Sequence, residues 1–244
     1  PVPWAGDVLE ELLPANAPRI DQDWLYSQAE ESLRLTGLID LRPVFEQDRE
    51  DQLFYRSDHH WTSYGAFLAY GLWAESRGGT VELSDYQVET VTENFLGALY
   101  SKVLDPGCPE DSIQLYLKAG EPAYTLSLNY GKSSVDSLYD MEKLDEKDKY
   151  LVFQGGNYPE MSIVTENKNG QRLLILKDSF ANSFLPFLIS DYESIHVIDP
   201  RYFNRDLEEN MAEKGINHCL QLFSMKSFSE SQDLARLIPL NDPA

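Results

Sequence analysis

The sequence predicts an α/β fold of three layers around a mostly parallel central sheet, with a strand-rich insertion over residues 104–149. Three observations predict it. "YLVFQGG" (150–156), "RLLILKD" (172–178) and "SIHVIDP" (194–200) hold continuous apolar runs of leucine and β-branched residues, the pattern of strands buried on both faces. "SFANSFLPFLISDY" (179–192) between the last two has helical spacing, with Pro186 placed to kink it, so strand, helix and strand read as a right-handed βαβ unit. Residues 80–148 show a mixed, strand-rich pattern punctuated by the turn signals "DPG" (105–107) and "NYG" (129–131).

Taken in chain order, "DQDWLYSQAEESLRLTG" (21–37) places Trp24, Leu25, Ala29, Leu33 and Leu35 at roughly helical spacing and stops at a glycine, which predicts a surface helix. "LIDLRPVFE" (38–46) reads as a short extended stretch interrupted by Pro43. "TSYGAFLAYGLWAESRGG" (62–79) predicts a helix capped by Thr62 or Ser63. Its buried stripe is Phe67, Leu68, Leu72 and Trp73, and Gly78-Gly79 ends it. The run "EKLDEKDK" (142–149) is a solvated face. "HCLQLF" (218–223) predicts a further strand, and "RDLEENMAEKG" (205–215) and "SESQDLARLIPL" (229–240) add helices. One domain over 1–244 accommodates all of it.

The formal net charge of −21 argues against nucleic-acid backbones and anionic membrane surfaces as partners. Cys108 and Cys219 have neither CxxC nor zinc-type spacing, and two free thiols or one long-range bridge are equally compatible with their positions. The chain opens on Pro1 rather than methionine, so the reading expects an N-terminal truncation that removed any export signal.

Chemistry concentrates in three places. In "RSDHHWTSY" (56–64), an extended backbone turns Asp58 and His60 to one side and His59 to the other. A carboxylate beside an imidazole fixes its tautomer, as the acid of a catalytic triad must. The plainer reading makes Asp58 a helix cap. A metal reading is weaker, because adjacent histidines on a strand diverge and no Cys or His cluster completes a shell. In "RLLILKDSFANSF" (172–184), a buried strand ends at Lys177-Asp178, with Ser179 at the turn into a helix. A serine there projects from the carboxyl edge of the sheet, and its own amide can stabilise an oxyanion. Ser183 is less well placed, and the plainer reading makes Ser179 or Asp178 only a helix cap. In "FQGGNY" (153–158), Gly155 and Gly156 permit close backbone approach, and the Asn157 amide can donate to an oxyanion or simply shape a turn. Arg201 and Tyr202 in "DPRYF" follow a buried strand and line a cleft, or Arg201 makes a structural ion pair.

The pieces "SDHHWTSYGA", "FLGALYSKV" (95–103), "YLVFQGGN" (150–157), "LLILKDSFANSFLPFL" (173–188) and "IHVIDPRYF" (195–203), in this order, resemble the DHHW proteins of Gram-positive bacteria. More distantly they resemble the SGNH-hydrolase-like proteins of alginate O-acetylation, in which an Asp-x-His-Trp segment precedes an Asp-Ser-Phe or Asp-Ser-Tyr serine. The resemblance implies an SGNH-hydrolase-like (flavodoxin-like) domain with Ser179 as nucleophile, His60 as base and Asp58 as its orienter. It further implies a membrane-anchored N-terminal portion ahead of residue 1, carrying sheet elements. Lys177 departs from the pattern, since many SGNH-like members have glycine there, and local oxyanion geometry is expected to differ.

The functional expectation is an extracytoplasmic serine acyltransferase or carbohydrate esterase, working on O-acyl groups of cell-surface glycans through an acyl-serine. Expected partners are a cell-surface polysaccharide or acyl donor and a membrane acyltransferase. Neither nucleic acid nor a cofactor nor a metal is called for. The alternative is a non-catalytic glycan-binding or assembly domain that retains the fold.

Overall fold

The computed structural model describes residues 1–19, 21–33 and 37–237. The helices are α1 (Ala5–Val8), α2 (Gln22–Leu33), α3 (Arg42–Gln47), α4 (Ser63–Glu75), α5 (Ala98–Val103), α6 (Leu207–Lys214), α7 (Met225–Glu230) and α8 (Gln232–Leu237). The strands are β1 (Tyr86–Phe95), β2 (Asp111–Lys118), β3 (Tyr124–Leu128), β4 (Ser133–Val135), β5 (Glu160–Thr165), β6 (Arg172–Lys177), β7 (Ser194–Ile198) and β8 (His218–Leu222).

Six strands form the central sheet in the order β4-β3-β5-β7-β6-β8. Leucine and β-branched residues make β6 and β7 fit a pleated surface covered on both sides. Along β6, Leu173 and Ile175 join an apolar cluster with Ala66, Phe67 and Tyr70 of α4. Leu174 and Leu176 face the other way, toward Met211 of α6, Phe228 of α7 and Leu234 of α8. This is the alternation a pleated strand imposes. β1 and β2 form a separate antiparallel ribbon. Phe95, Ile113 and Leu115 of the ribbon build a smaller cluster with Tyr55, Tyr150, Val152 and Phe153.

The expectation of a mostly parallel sheet needs correcting. β6 runs parallel to β7 and β8, but β3–β4, β3–β5 and β5–β7 are antiparallel. Continuous apolar runs report burial of both faces, and an interior antiparallel strand satisfies that equally well. β5 was not foreseen at all. The stretch 104–149 divides between the two sheets: β2 joins the ribbon, whereas β3 and β4 extend the central sheet.

Three local expectations also change. Residues 42–47 are helical, with Pro43 in the first turn, where a missing N–H costs no hydrogen bond. "YLVFQGG" is a 3₁₀ turn over Lys149–Val152 followed by left-handed backbone at Gln154, Gly155 and Gly156 (φ 62°, 71° and 153°). Tyr150, Val152 and Phe153 are buried as expected, but in the ribbon cluster rather than in a strand, and Leu151 is half-buried. "SFANSFLPFLISDY" forms two 3₁₀ turns, Ser179–Ser183 and Leu185–Leu188, with Pro186 in the first turn of the second. Side chains from elsewhere take up carbonyls that an α-helix would have used. Tyr150 Oη donates to Ser179 O (3.3 Å), Trp61 Nε1 to Phe180 O (2.8 Å) and Gln154 Nε2 to Asn182 O (2.6 Å).

Other expectations hold. α4 starts at a Thr62 cap whose Oγ1 accepts from Gly65 N (3.3 Å), and the run 142–149 is largely exposed. The cysteine pairing, which the sequence left open, is decided here, and both cysteines are free. The end of the helix expected over 229–240 falls at residues 238–240, and the Leu35 turn of the helix expected over 21–37 falls at residues 34–36, both outside the described residues.

Candidate active site

Asp58, His59 and His60 sit at the tip of a tight loop. Its stem is closed by Thr62 N–H to Leu53 O (2.8 Å), Tyr55 N–H to His60 O (3.1 Å) and a bridge between Phe54 and Trp61. Gly65 lets the stem approach α4, since a Cβ there would lie 2.7 Å from Leu53 O. The tip is bent rather than extended, because Asp58 Oδ1 accepts the His60 backbone N–H (3.0 Å). The two imidazoles therefore do not diverge as expected. Their centroids are 3.9 Å apart, with His60 buried and His59 half-exposed.

The loop is fastened from below by the ribbon. Buried Asp111, at the start of β2, accepts from Ser57 Oγ (2.6 Å), Ser57 N (2.8 Å), Arg56 N (3.1 Å) and Gln52 Nε2 (2.7 Å). After β1, the Ala98 N–H donates to Asp58 Oδ2 (2.7 Å) and the Tyr100 N–H to Ser57 O (2.9 Å). Gly97 is needed for space, because a Cβ on it would fall 2.4 Å from the Asp58 side chain.

The second loop follows β6. Asp178, not Ser179, caps the 3₁₀ turn: its Oδ1 accepts from Phe180 N (3.0 Å), and its Oδ2 from Ser224 N and Oγ (2.9 Å each). Ser179 is left with its hydroxyl directed to the first loop. Ser179 Oγ lies 2.7 Å from His60 Nε2, and His60 Nδ1 lies 2.6 Å from Asp58 Oδ1. Two segments 119 residues apart thus meet in an unbroken serine–imidazole–carboxylate chain.

Two aromatic residues lock that meeting. Trp61 Nε1–H bonds both Phe180 O and Ser183 Oγ (2.9 Å), tying the loops together. The Tyr150 ring stacks on His60 at 3.9 Å and 7°, which leaves the imidazole little rotational freedom. Burial opposes ionisation of Asp58, but the hydrogen bond and charge of His60, with the Ala98 N–H, outweigh it and hold the carboxyl well below the usual range. A carboxylate permanently charged beside Nδ1 fixes that nitrogen as the donor and leaves Nε2 to accept a proton. Burial and the neighbouring His60 keep His59 below the ordinary imidazole value.

The remaining sequence-chosen residues lie around this chain rather than in it. Asn157 Oδ1 accepts from Lys177 Nζ (2.7 Å). Gly156 has left-handed backbone and open space at its Cβ position. Arg201 pairs with buried Asp199 through Nε (2.9 Å) and Nη2 (2.6 Å), the structural alternative that the sequence left open. Tyr202 is exposed beneath the Arg201 guanidinium. Neither Arg201 nor Tyr202 hydrogen-bonds Ser179 or His60 among the described residues. Donor atoms of Asp58, His59 and His60 lie within 4.8 Å of one another, but a cation there would compete with the Asp58–His60 bond. Sequence reasoning missed Tyr150, Asp111 and Gly97 as supports, because nothing local in "KYLV" or "EDSI" points to a loop about 90 or 50 residues away.

The DHHW protein family model matches residues 18–198. None of the curated proteins matches the chain in sequence. A DHHW family protein from Eubacterium siraeum is 26% identical, with a TM-score of 0.75 over 93% of this chain and 77% of that one. Bacillus cereus PatB1, solved with a sulfonyl adduct, is 20% identical (TM-score 0.73, covering 92% of this chain and 79% of that one). The O-acetyltransferase domain of Pseudomonas putida AlgJ is 18% identical (TM-score 0.54, 98% and 77%).

Proposed function

The chain belongs to the DHHW protein family, and we propose that it is a serine acyltransferase or esterase acting outside the cytoplasm on O-acyl groups of cell-surface glycans. One observation carries the reading: the 2.7 Å and 2.6 Å contacts that link Ser179 Oγ through His60 to Asp58. That distance is within reach for proton transfer without rearrangement. The fold shared with the AlgJ O-acetyltransferase domain supports acyl transfer as the reaction class, and the order of motifs, Asp-x-His before the serine as in the proteins of alginate O-acetylation, supports the same assignment.

In this mechanism Ser179 Oγ attacks the acyl carbonyl carbon as its proton passes to His60 Nε2. A C–O bond forms, and the carbonyl π pair moves onto oxygen. The oxyanion is received by the Ser179 N–H, with Asn157 and the Gly156 backbone as further donors. Collapse expels the donor's alkoxide, which takes the proton from His60, and an acyl-serine remains. His60 then deprotonates a sugar hydroxyl (transferase) or water (esterase), and the same steps run in reverse. Asp58 stays ionised throughout and stabilises the imidazolium. A polysaccharide acceptor, an acyl donor and a membrane acyltransferase that supplies acyl groups are the partners of this reading.

The test is hydrolysis of a chromogenic acetyl ester by wild type, Ser179→Ala and His60→Ala, with intact mass spectrometry of the quenched enzyme. Each variant is expected to lose on the order of 10⁶-fold in kcat, and the acetyl adduct is expected on wild type alone. Turnover undiminished in Ser179→Ala overturns the reading. Transfer of the label to an added oligosaccharide distinguishes transferase from esterase.

A further inference from the structure

The geometry points to Lys177 as a positioning residue: its buried ammonium holds the carbonyl ends of Asn157 and Asn182 beneath the elbow and so turns the Asn157 amide nitrogen into a spare donor for the acyl oxygen. The inference rests on the serine acyl-transfer reading and adds to it a residue that touches neither substrate nor reacting atoms.

Lys177 ends β6, two residues before Ser179, and is 3% exposed. A lysine seldom occupies such a place unless it has partners. Its Nζ donates to Asn157 Oδ1 (2.7 Å) and Asn182 Oδ1 (2.8 Å). Asn157 Oδ1 also accepts from Asn182 Nδ2 (3.4 Å). Among the described residues Asn157 Nδ2 donates to no protein group. An ammonium has three donors and no acceptor, so only a carbonyl oxygen can face it. The amide cannot flip while Lys177 is charged, and its nitrogen must point elsewhere. Asn182 is itself anchored, since its backbone carbonyl accepts from Gln154 Nε2. The pair forms a rigid floor under the 3₁₀ turn that presents Ser179.

The charged groups facing the ammonium are few. Asp199, beyond β7, lies 3.8 Å away, but Arg201 shares its carboxylate, and Asp178 is adjacent in the chain. Burial lowers the lysine to about 8, with Asp199 and Asp178 opposing that shift and Arg201 adding to it. Above that pH Lys177 becomes an amine with a lone pair, which can accept from Asn157 Nδ2 and release the amide to flip. The effect on stability has the opposite sign. Between about 8 and the ordinary lysine value the unfolded chain binds more protons, so this group's contribution to folding rises with pH. Activity limited by Lys177 therefore falls on the alkaline side without unfolding.

The experiment measures kcat and KM for the chromogenic acetyl ester from pH 6 to 9.5 on wild type, Lys177→Met, Asn157→Asp and the double variant. Labelling of Ser179 by a sulfonyl fluoride, read by intact mass, is followed in parallel. Wild-type kcat is expected to decline above about pH 8 with far-UV circular dichroism unchanged. Lys177→Met is expected to lose about tenfold or more in kcat with KM within twofold, to lose the alkaline limb, and still to be labelled at Ser179. Asn157→Asp keeps a partner for Lys177 but removes the donor, so it should lose as much. The double variant should be no worse than Asn157→Asp alone. Full kcat in Lys177→Met, or losses that multiply in the double variant, overturns the inference. If Lys177→Met does not fold, Asn157→Asp decides, and full kcat there overturns it. Failure of the underlying reading shows separately, as wild type unlabelled at Ser179.

Discussion

The loop that carries Asp58 and His60 is held by the β1–β2 ribbon, whereas the elbow that carries Ser179 is held by the central sheet. In the first case the fasteners are Asp111, Gly97 and the Ala98 N–H, all on or beside a two-stranded ribbon with its own small apolar cluster. In the second, Asp178 is bonded to Ser224 just past β8, and its N–H donates to Leu222 O (3.3 Å). The elbow lies in the largest core, and the acid–base loop is anchored in both, with Leu53, Phe54 and Trp61 in that core and Tyr55 in the smaller ribbon cluster. The two substructures meet through Trp61, Tyr150 and the His60–Ser179 contact. Damage to the elbow should therefore appear first as lost stability, and damage to the ribbon side as lost turnover.

The sharpest way to break this comparison is Asp178→Ala. The change leaves Phe180 N, Ser224 N and Ser224 Oγ without their buried acceptor and removes a cap. Loss of about 3 kcal/mol is expected, measured by urea unfolding. A loss below about 1 kcal/mol would show that the elbow is not integral to the sheet. Gly97→Ala is the counterpart on the ribbon side. Its new methyl displaces Asp58 and so tilts His60 away from Ser179, which is expected to lower kcat roughly 10²-fold while unfolding shifts by about 1 kcal/mol. Unchanged kcat would mean that the acid–base loop is positioned by some other contact.

The smallest expected effect lies on the sheet away from both loops. His196 of β7 is buried between Ser162 Oγ (2.9 Å) and Ser194 Oγ (3.2 Å). Burial, with the charges of Lys214 and Arg172, lowers it to about 4. Because the folded value lies below the ordinary one, the unfolded chain takes up the proton first as pH falls. Stability from this group is then complete above about pH 6.5 and declines toward pH 4, by roughly 1–2 kcal/mol at pH 5. His196→Gln should flatten that part of the thermal stability–pH profile and leave turnover at neutral pH unchanged. An identical acid profile in the variant would contradict the assignment.

Much of this site was legible because its chemistry is carried by short segments. "SDHHW" and "KDSFANS" each bring an acid, a base or a nucleophile together with the residues that shape the local turn, so Asp58, His60 and Ser179 could be chosen from spacing and motif. The conformation of "YLVFQGG" was not legible, since an apolar run announces burial and not the dihedral angles adopted there. β5 itself was not legible, since "EMSIVT" is a short run that mixes polar with apolar residues. The side-by-side histidines were not legible, because the Asp58 carboxylate bends a backbone that the residue pattern alone predicts to be extended.

By itself the sequence determined the local elements whose signals lie within a few residues: a helix capped at Thr62 or Ser63, the buried β6 and β7, and the choice of Asp58, His60 and Ser179 as candidates. Only the tertiary structure decided that Tyr150 stacks on His60, that Gly97 makes room for Asp58, and that Lys177 reaches Asn157 and Asn182. The physical reason is range. Periodicity and capping act over one or two turns of chain, whereas these contacts join segments that approach only after the core has been buried.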